Sequence, residues 1–213
     1  MARWLVGSGL ILTNHHVVKG NATVTVRQGQ TESGTFTATV VATDSPRGIA
    51  LLRFSERDAA LPTLTEVLDL DDLSIEDIAM PLMALGFSGT DVKPDGSGGV
   101  SPANIGSLSQ MVDFGSESFG RNLVMDVPID HGDSGGPVIA PNGLVVGMNR
   151  AVLLRTSGGQ RAVGTFDAVQ AEEIRSALPA LLRGESRGHI ACARIRTQQP
   201  HRTFPDEHRA RDR

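Results

Sequence analysis

Apolar and polar residues alternate in short runs over the first quarter of the chain. Trp4 to Leu12, Ala22 to Arg27, Gly34 to Ala42 and Ile49 to Phe54 are strand-like, and Ala-Thr-Val-Thr-Val-Arg at 22–27 has a clear period of two. Lys19-Gly20-Asn21 and Arg27-Gln28-Gly29-Gln30 supply turns between them. Short strands bounded by turn signals predict an antiparallel barrel or sandwich. From Leu61 to Ala79 the pattern shifts to acids (Glu66, Asp69, Asp71, Asp72, Glu76, Asp77) set among leucines, which predicts a solvated connection between two units. The second half resumes with the apolar strand Leu82-Met83-Ala84-Leu85, closed by Gly86, and then a glycine-rich loop over Lys93 to Gly99. Further strands are predicted at Ala103 to Val112, Leu123 to Val127, from Pro137, at Leu144 to Met148, and at Ala162 to Phe166. Over Asp167 to Leu182 the apolar spacing changes to three and four (Val169, Ile174, Ala177, Leu178, Leu181). This predicts a helix with Asp167 as N-cap, kinked or ended by Pro179. Beyond Gly184 the chain is rich in arginine and poor in apolar residues, a composition that cannot bury a core.

Composition narrows the function classes. The chain has 213 residues, 39% hydrophobic, and a formal charge of −4, enough for one large β domain or two small barrels sharing an interface. No basic stripe crosses the first 180 residues, so nucleic acid is not an expected partner. The single cysteine, Cys192, cannot form an internal disulfide, and stability must come from packing. No run of about 18 apolar residues marks a membrane span. Asp69, Asp71 and Asp72 lack the glycine turn and terminal bidentate acid of a calcium loop. His15 and His16, read as the end of a strand, would point to opposite faces and lack a third ligand motif, so neither a metal nor a cofactor is expected.

The densest chemistry lies in His131-Gly132-Asp133-Ser134-Gly135-Gly136-Pro137, followed by apolar Val138 and Ile139. Glycines permit positive φ and close approach of a substrate. The amides of Gly132 and Ser134 can then converge on one developing negative charge as an oxyanion hole. Ser134 is the candidate nucleophile and needs a base from elsewhere in the chain. Gly7-Ser8-Gly9-Leu10-Ile11-Leu12-Thr13-Asn14-His15-His16-Val17-Val18 carries a histidine pair at the end of an apolar strand.

Together the two segments resemble the trypsin-like serine endopeptidases, in the disulfide-free bacterial branch that includes the HtrA/Deg proteases. The resemblance implies an all-β fold of two six-stranded antiparallel barrels with a C-terminal helix. It also implies a further strand ahead of Trp4, so the first barrel is expected to lack its first strand and any targeting segment would have gone with it. The expected units are 1–62, the first barrel; 63–80, the acidic linker; 81–183, the second barrel with its helix; and 184–213, a disordered arginine-rich tail. No PDZ-like module follows, a departure from HtrA architecture. By resemblance the base is His16, and the primary specificity pocket has Pro128 at its base and the strand Gly147-Met148-Asn149-Arg150 along its wall. Nothing acidic stands there, so the expected preference is a small or medium apolar side chain. Asp133 is expected to shape the loop as a hydrogen-bond acceptor.

The family's triad acid precedes an apolar run like Ile49-Ala50-Leu51-Leu52, and here that position is Gly48. Asp44 is the substitute candidate. Four residues span up to about 13 to 14 Å of extended chain, so Asp44 would serve only if the loop folds back. Two functions follow as expectations: a serine endopeptidase acting on unfolded or flexible polypeptide through an acyl-enzyme, with activity reduced by Gly48, or an impaired pseudoprotease that binds peptides without turnover. The expected compartment is periplasmic or extracellular if a leader preceded this chain, and cytoplasmic otherwise.

Overall fold

The computed structural model describes residues 4–7, 9–27, 35–54, 70–86, 104–113, 120–152 and 164–188. The glycine-rich loop at 93–99, most of the acidic connection, Cys192 and the arginine-rich stretch past 188 lie outside the described residues.

The N-terminal unit comprises β1 (Trp4–Gly7), β2 (Leu10–Asn14), the single helical turn α1 (His15–Val18), β3 (Thr23–Arg27), β4 (Thr35–Asp44) and β5 (Ile49–Phe54). The run from Trp4 to Leu12 is therefore two strands rather than one. Gly9 takes a left-handed φ of +70° between them, a conformation glycine adopts without steric penalty. All strand pairs are antiparallel, in the order β1-β2-β5-β4-β3. Among the described residues this unit is a five-stranded sheet, not a closed six-stranded barrel. A bulge at Val41 adds twist to β4.

The C-terminal unit comprises β6 (Pro81–Ala84), β7 (Asn104–Asp113), β8 (Arg121–Met125), β9 (Pro137–Ile139), β10 (Val145–Val152) and β11 (Phe166–Gln170). They close into a six-stranded barrel in the order β10-β11-β8-β7-β6-β9. Helix α2 (Ala171–Leu182) follows directly, with Gln170 as its N-cap. Asp167 is thus not a helix cap but the second residue of β11. Residues 166–170 pair with β8 on one side and β10 on the other, and this two-sided ladder outweighs the helical spacing of their side chains. Pro179 does not end the helix, which continues to Leu182. The carbonyl deprived of its donor belongs to Arg175, an exposed residue, where water can serve it.

One core joins the two units. Leu12, Ala42, Ile49 and Leu51 of the sheet pack with Val145, Met148 and Val169 of the barrel and with Ile174, Ala177 and Leu181 of α2. A second cluster fills the barrel around Leu82, Leu108, Leu123, Met125 and Val146, and a third lies under the sheet around Ile11, Leu52 and Phe54. After α2 the backbone returns along β4. Arg187 bridges Asp44, the Ser45 amide donates to the Arg187 carbonyl at 2.8 Å, and the Arg187 amide donates to the Thr43 carbonyl at 2.8 Å. Ordered chain therefore runs past residue 183 and buttresses the turn that follows β4.

Because Ile174 is fully buried where helix, sheet and barrel meet, Ile174→Ala is expected to lower unfolding free energy by about 2–5 kcal/mol. Denaturant titration followed by fluorescence of Trp4 or by circular dichroism measures the change.

Candidate active site

The loop between β8 and β9 is held by bonds that leave two amides uncommitted. The Asp133 amide donates to the Asp130 carbonyl (3.1 Å), Gly135 to Asn149 (2.9 Å) and Gly136 to Asp133 (3.0 Å). The Asn149 amide returns a bond to the Gly136 carbonyl at 2.8 Å, and its side-chain amide donates to the Leu85 carbonyl at 3.2 Å. Asn149 is fully buried, so it pins the serine loop to β10 from within the protein. Asp133 is also buried, and its Oδ2 accepts the Asp130 amide at 2.9 Å. Among the described residues the amides of Gly132 and Ser134 donate to no other group. Gly132 has φ +106°, a region that favours glycine. These are the two donors expected of an oxyanion hole.

Ser134 is half-buried and its hydroxyl donates to the Arg150 carbonyl at 3.2 Å. That acceptor sits at an irregularity of the β10–β11 ladder. Asn149 pairs with Ala168 and Ala151 with Asp167, which leaves Arg150 as the extra residue of a β-bulge. The bulge also aims the Arg150 side chain. Its Nε donates to Asp167 Oδ2 at 2.8 Å and its Nη2 lies 2.5 Å from the same oxygen. Asp167 is 1% exposed. Burial raises the Asp167 carboxyl above the ordinary value, and the nearby Arg150 charge works against that rise.

His16 lies on α1, not at the end of a strand, so the alternation expected for His15 and His16 does not apply. The turn begins where the His15 amide donates to the Gly48 carbonyl at 2.8 Å, and the Asn14 side-chain amide approaches the same oxygen at 3.4 Å. The surrounding protein mass, then the positive charge of Arg150, then His15 hold the His16 imidazole below the ordinary histidine value, although solvent still reaches the ring. Among the described residues no carboxylate forms a hydrogen bond or ion pair with His16.

Gly48 ends the four-residue turn between β4 and β5 with φ +72°, its amide donating to the Ser45 carbonyl at 3.1 Å. A Cβ placed there would lie 3.6 Å from Arg150 Cδ. Asp44 stands at the other end of the turn, buried, with its carboxylate engaged by Arg47. The Arg47 amide donates to Oδ1 at 3.1 Å, and Nη1 donates to Oδ2 at 2.7 Å. Arg47 in turn reaches Glu173 of α2 at 2.5 Å. In the structure this acid shapes the turn and has no contact with the base.

The residues expected to form a specificity pocket diverge. Pro128 is exposed, Met148 is buried in the shared core and Asn149 holds the serine loop. Gly147 is bare because β11 passes close by: a Cβ there would meet the Val169 carbonyl oxygen at 2.8 Å. A separate cleft of about 290 Å³, bounded by Thr13, Val17, Asn21, Val24 and Leu52, belongs to the N-terminal sheet and shares no residue with the serine loop. Sequence reasoning placed Arg150 only on the strand along the pocket wall and passed over its charge and its tie to Asp167. A cation inside the apolar strand Val145–Val152 was itself the signal, because a charge placed in a barrel wall requires a buried partner.

Residues 4–148 match the model of the trypsin-like peptidase domain. A probable periplasmic serine endoprotease DegP-like of Chlamydia trachomatis is 34% identical over 159 residues, covering 73% of this chain and 28% of its own. The magnetosome formation protease MamE of Paramagnetospirillum magneticum is 30% identical over 147 residues, covering 68% of this chain and 18% of its own. The chain therefore spans less than a third of the length of these curated relatives. Among solved structures, the HtrA-type protease AlgW with a decapeptide is similar in fold at TM-score 0.66, with 19% identity, 86% of this chain and 52% of that chain covered. The inactive form of the Rv3671c protease is similar in fold at TM-score 0.61, with 22% identity and 84% and 82% covered.

Gly86 lies two residues past the end of β6, against the serine loop, and a Cβ on it would fall on Asp133 Oδ1 and 2.8 Å from Asp133 Cα. Gly86→Ala is expected to displace Asp133 and, with it, the Gly132 and Ser134 amides. The outcome is a drop of about 1–3 kcal/mol in stability together with loss of serine labelling by a fluorophosphonate, read on one sample by thermal denaturation and in-gel fluorescence.

Proposed function

This chain belongs to the trypsin-like peptidases, with HtrA/DegP-type serine endoproteases among its relatives, and from that membership we propose that it is a serine endopeptidase acting on flexible polypeptide through an acyl-enzyme at Ser134. The observation that carries the reading is the serine loop: internal bonds consume the amides of Asp133, Gly135 and Gly136 and leave those of Gly132 and Ser134 for an incoming oxyanion. Donors fixed in this way stabilise the tetrahedral intermediate without reorganising, a contribution of about 2.7–4 kcal/mol per donor in acyl transfer.

In this reading the Ser134 hydroxyl turns from the Arg150 carbonyl to the His16 imidazole as substrate binds. His16 takes the proton, the serine oxygen attacks the scissile carbonyl, and the imidazolium then protonates the leaving amine. The depressed basicity of His16 keeps it neutral and ready to accept a proton. It also makes the imidazolium harder to form. In a serine protease whose triad acid is changed to its amide, turnover falls about 10⁴-fold, and a chain with Gly48 in that position is expected to be slow to a similar degree. The Asp44 carboxylate, committed to Arg47, does not supply the missing acid.

A second reading, a peptide-binding module without turnover, is favoured by one observation, the donation of the Ser134 hydroxyl to a carbonyl instead of to the base. For location, the periplasmic designation of the DegP-like relatives supports the same compartment here. No helix among the described residues is long and apolar enough to cross a membrane.

Fluorophosphonate labelling separates the readings. The protease reading expects slow labelling of the native chain that vanishes in Ser134→Ala, whereas a native chain that stays unlabelled after prolonged exposure supports the binding module. The rate should fall as pH drops through the His16 transition. Because that transition lies below the ordinary imidazole value of about 6.5, the half-maximal rate is expected on the acid side of it.

A further inference from the structure

Three site residues converge, through its backbone carbonyl and its side chain, on one residue that the family pattern does not explain. Arg150 gives its carbonyl to the Ser134 hydroxyl (3.2 Å), its Cδ lies 3.6 Å from where a Gly48 Cβ would stand, and its charge acts on His16. It is fixed from behind by buried Asp167. We propose that Arg150 is the positioning residue of this site: anchored to Asp167, it lies in contact with whatever side chain position 48 carries, so that Gly48 and Arg150 act as a coupled pair. The inference rests on the protease reading above only for its catalytic consequence; the contact and the charge effect do not depend on it.

Among the described residues, Arg150 is what a side chain at 48 would meet first. A Cβ on that Cα would touch the Arg150 stem at 3.6 Å, so a carboxylate carried on it stands beside that cation, and in this proposal it pairs there in competition with His16. The left-handed φ of +72° adds a second, smaller obstacle, one that aspartate tolerates better than most residues. Restoring the acid alone therefore leaves the base unassisted. The other charged groups around His16 do not offset Arg150. His15 on the same turn acts in the same direction. On the β4–β5 turn, Asp44 is held by Arg47, which also binds Glu173 of α2. On the serine loop, Asp133 is turned inward to the Asp130 amide, and His131 is exposed.

The test uses the full chain in five forms: native, Arg150→Lys, Arg150→Gln/Asp167→Asn, Gly48→Asp, and Gly48→Asp in the Arg150→Gln/Asp167→Asn background. The paired neutral change avoids stranding a buried carboxylate, so that the variant folds. The His16 ring is titrated by NMR, and fluorophosphonate labelling is timed in parallel. The His16 midpoint is expected to rise in the neutral pair and to stay in place in Arg150→Lys. Gly48→Asp should change labelling by less than about threefold in the native background, and by at least a hundredfold, part of the roughly 10⁴ a triad acid is worth, in the neutral one. An unmoved midpoint in the neutral pair, or an equal gain from Gly48→Asp in both backgrounds, overturns the proposal. A midpoint that moves while no form is labelled supports the role of Arg150 and removes the protease reading instead.

Discussion

The buried pair of Arg150 and Asp167 is the interaction on which the rest of this site depends. Taking two charges out of water costs several kcal/mol per ion even after relaxation, and the attraction between them repays this only with close geometry. Here the geometry comes from a bulge: Arg150 is the extra residue where the β10–β11 register shifts, its side chain turns to Asp167 on the adjoining strand and its carbonyl accepts the Ser134 hydroxyl. Asp167 has Oδ1 buried without a hydrogen-bond partner among the described residues. Its charge therefore leans heavily on Arg150, and the arginine is correspondingly held in place.

From that anchor the remaining geometry follows in two directions. Toward the serine loop, neighbouring Asn149 exchanges backbone bonds with Gly135 and Gly136 and ties the loop to the strand end at Leu85. Toward the base, the Arg150 stem stands 3.6 Å from where a Cβ at Gly48 would lie, and the Gly48 carbonyl starts the turn that carries His16. The elements bearing nucleophile and base are thus braced from the same stretch of β10. An arginine here gives the base an electrostatic environment opposite in sign to that of a triad carboxylate. The imidazole is kept neutral at rest and is penalised as an imidazolium.

Local signals in the chain were of two kinds. Period-two runs such as 22–27 and the apolar block 49–54 were sufficient for strands, because alternation and β-branched content report directly on a pleated, half-buried surface. The helical spacing read from Asp167 was sound from Ala171 onward and misleading before it, since Phe166–Gln170 finds hydrogen-bond partners on both sides only in the closed barrel. The run Trp4 to Leu12 failed as one strand for a related reason: apolar content does not reveal where a glycine takes positive φ. Asp44 was visible as the nearest acid to Gly48, but its commitment to Arg47 depends on how a four-residue turn closes.

What the sequence determined by itself was the chemistry offered: a serine in a glycine-rich loop, a histidine pair following an apolar run, a glycine where the family pattern has an acid, and a succession of strands ending in a helix. Those are properties of residue type and local spacing, and they survive without coordinates. What only the tertiary structure decided was which groups meet. Arg150 and Asp167 are 17 residues apart, and Gly48 is about a hundred residues from both. Their meeting depends on strand register, on a single bulge and on the packing of sheet against barrel, none of which is written in any one segment, because each arises from long-range pairing that forms only when the whole chain has folded.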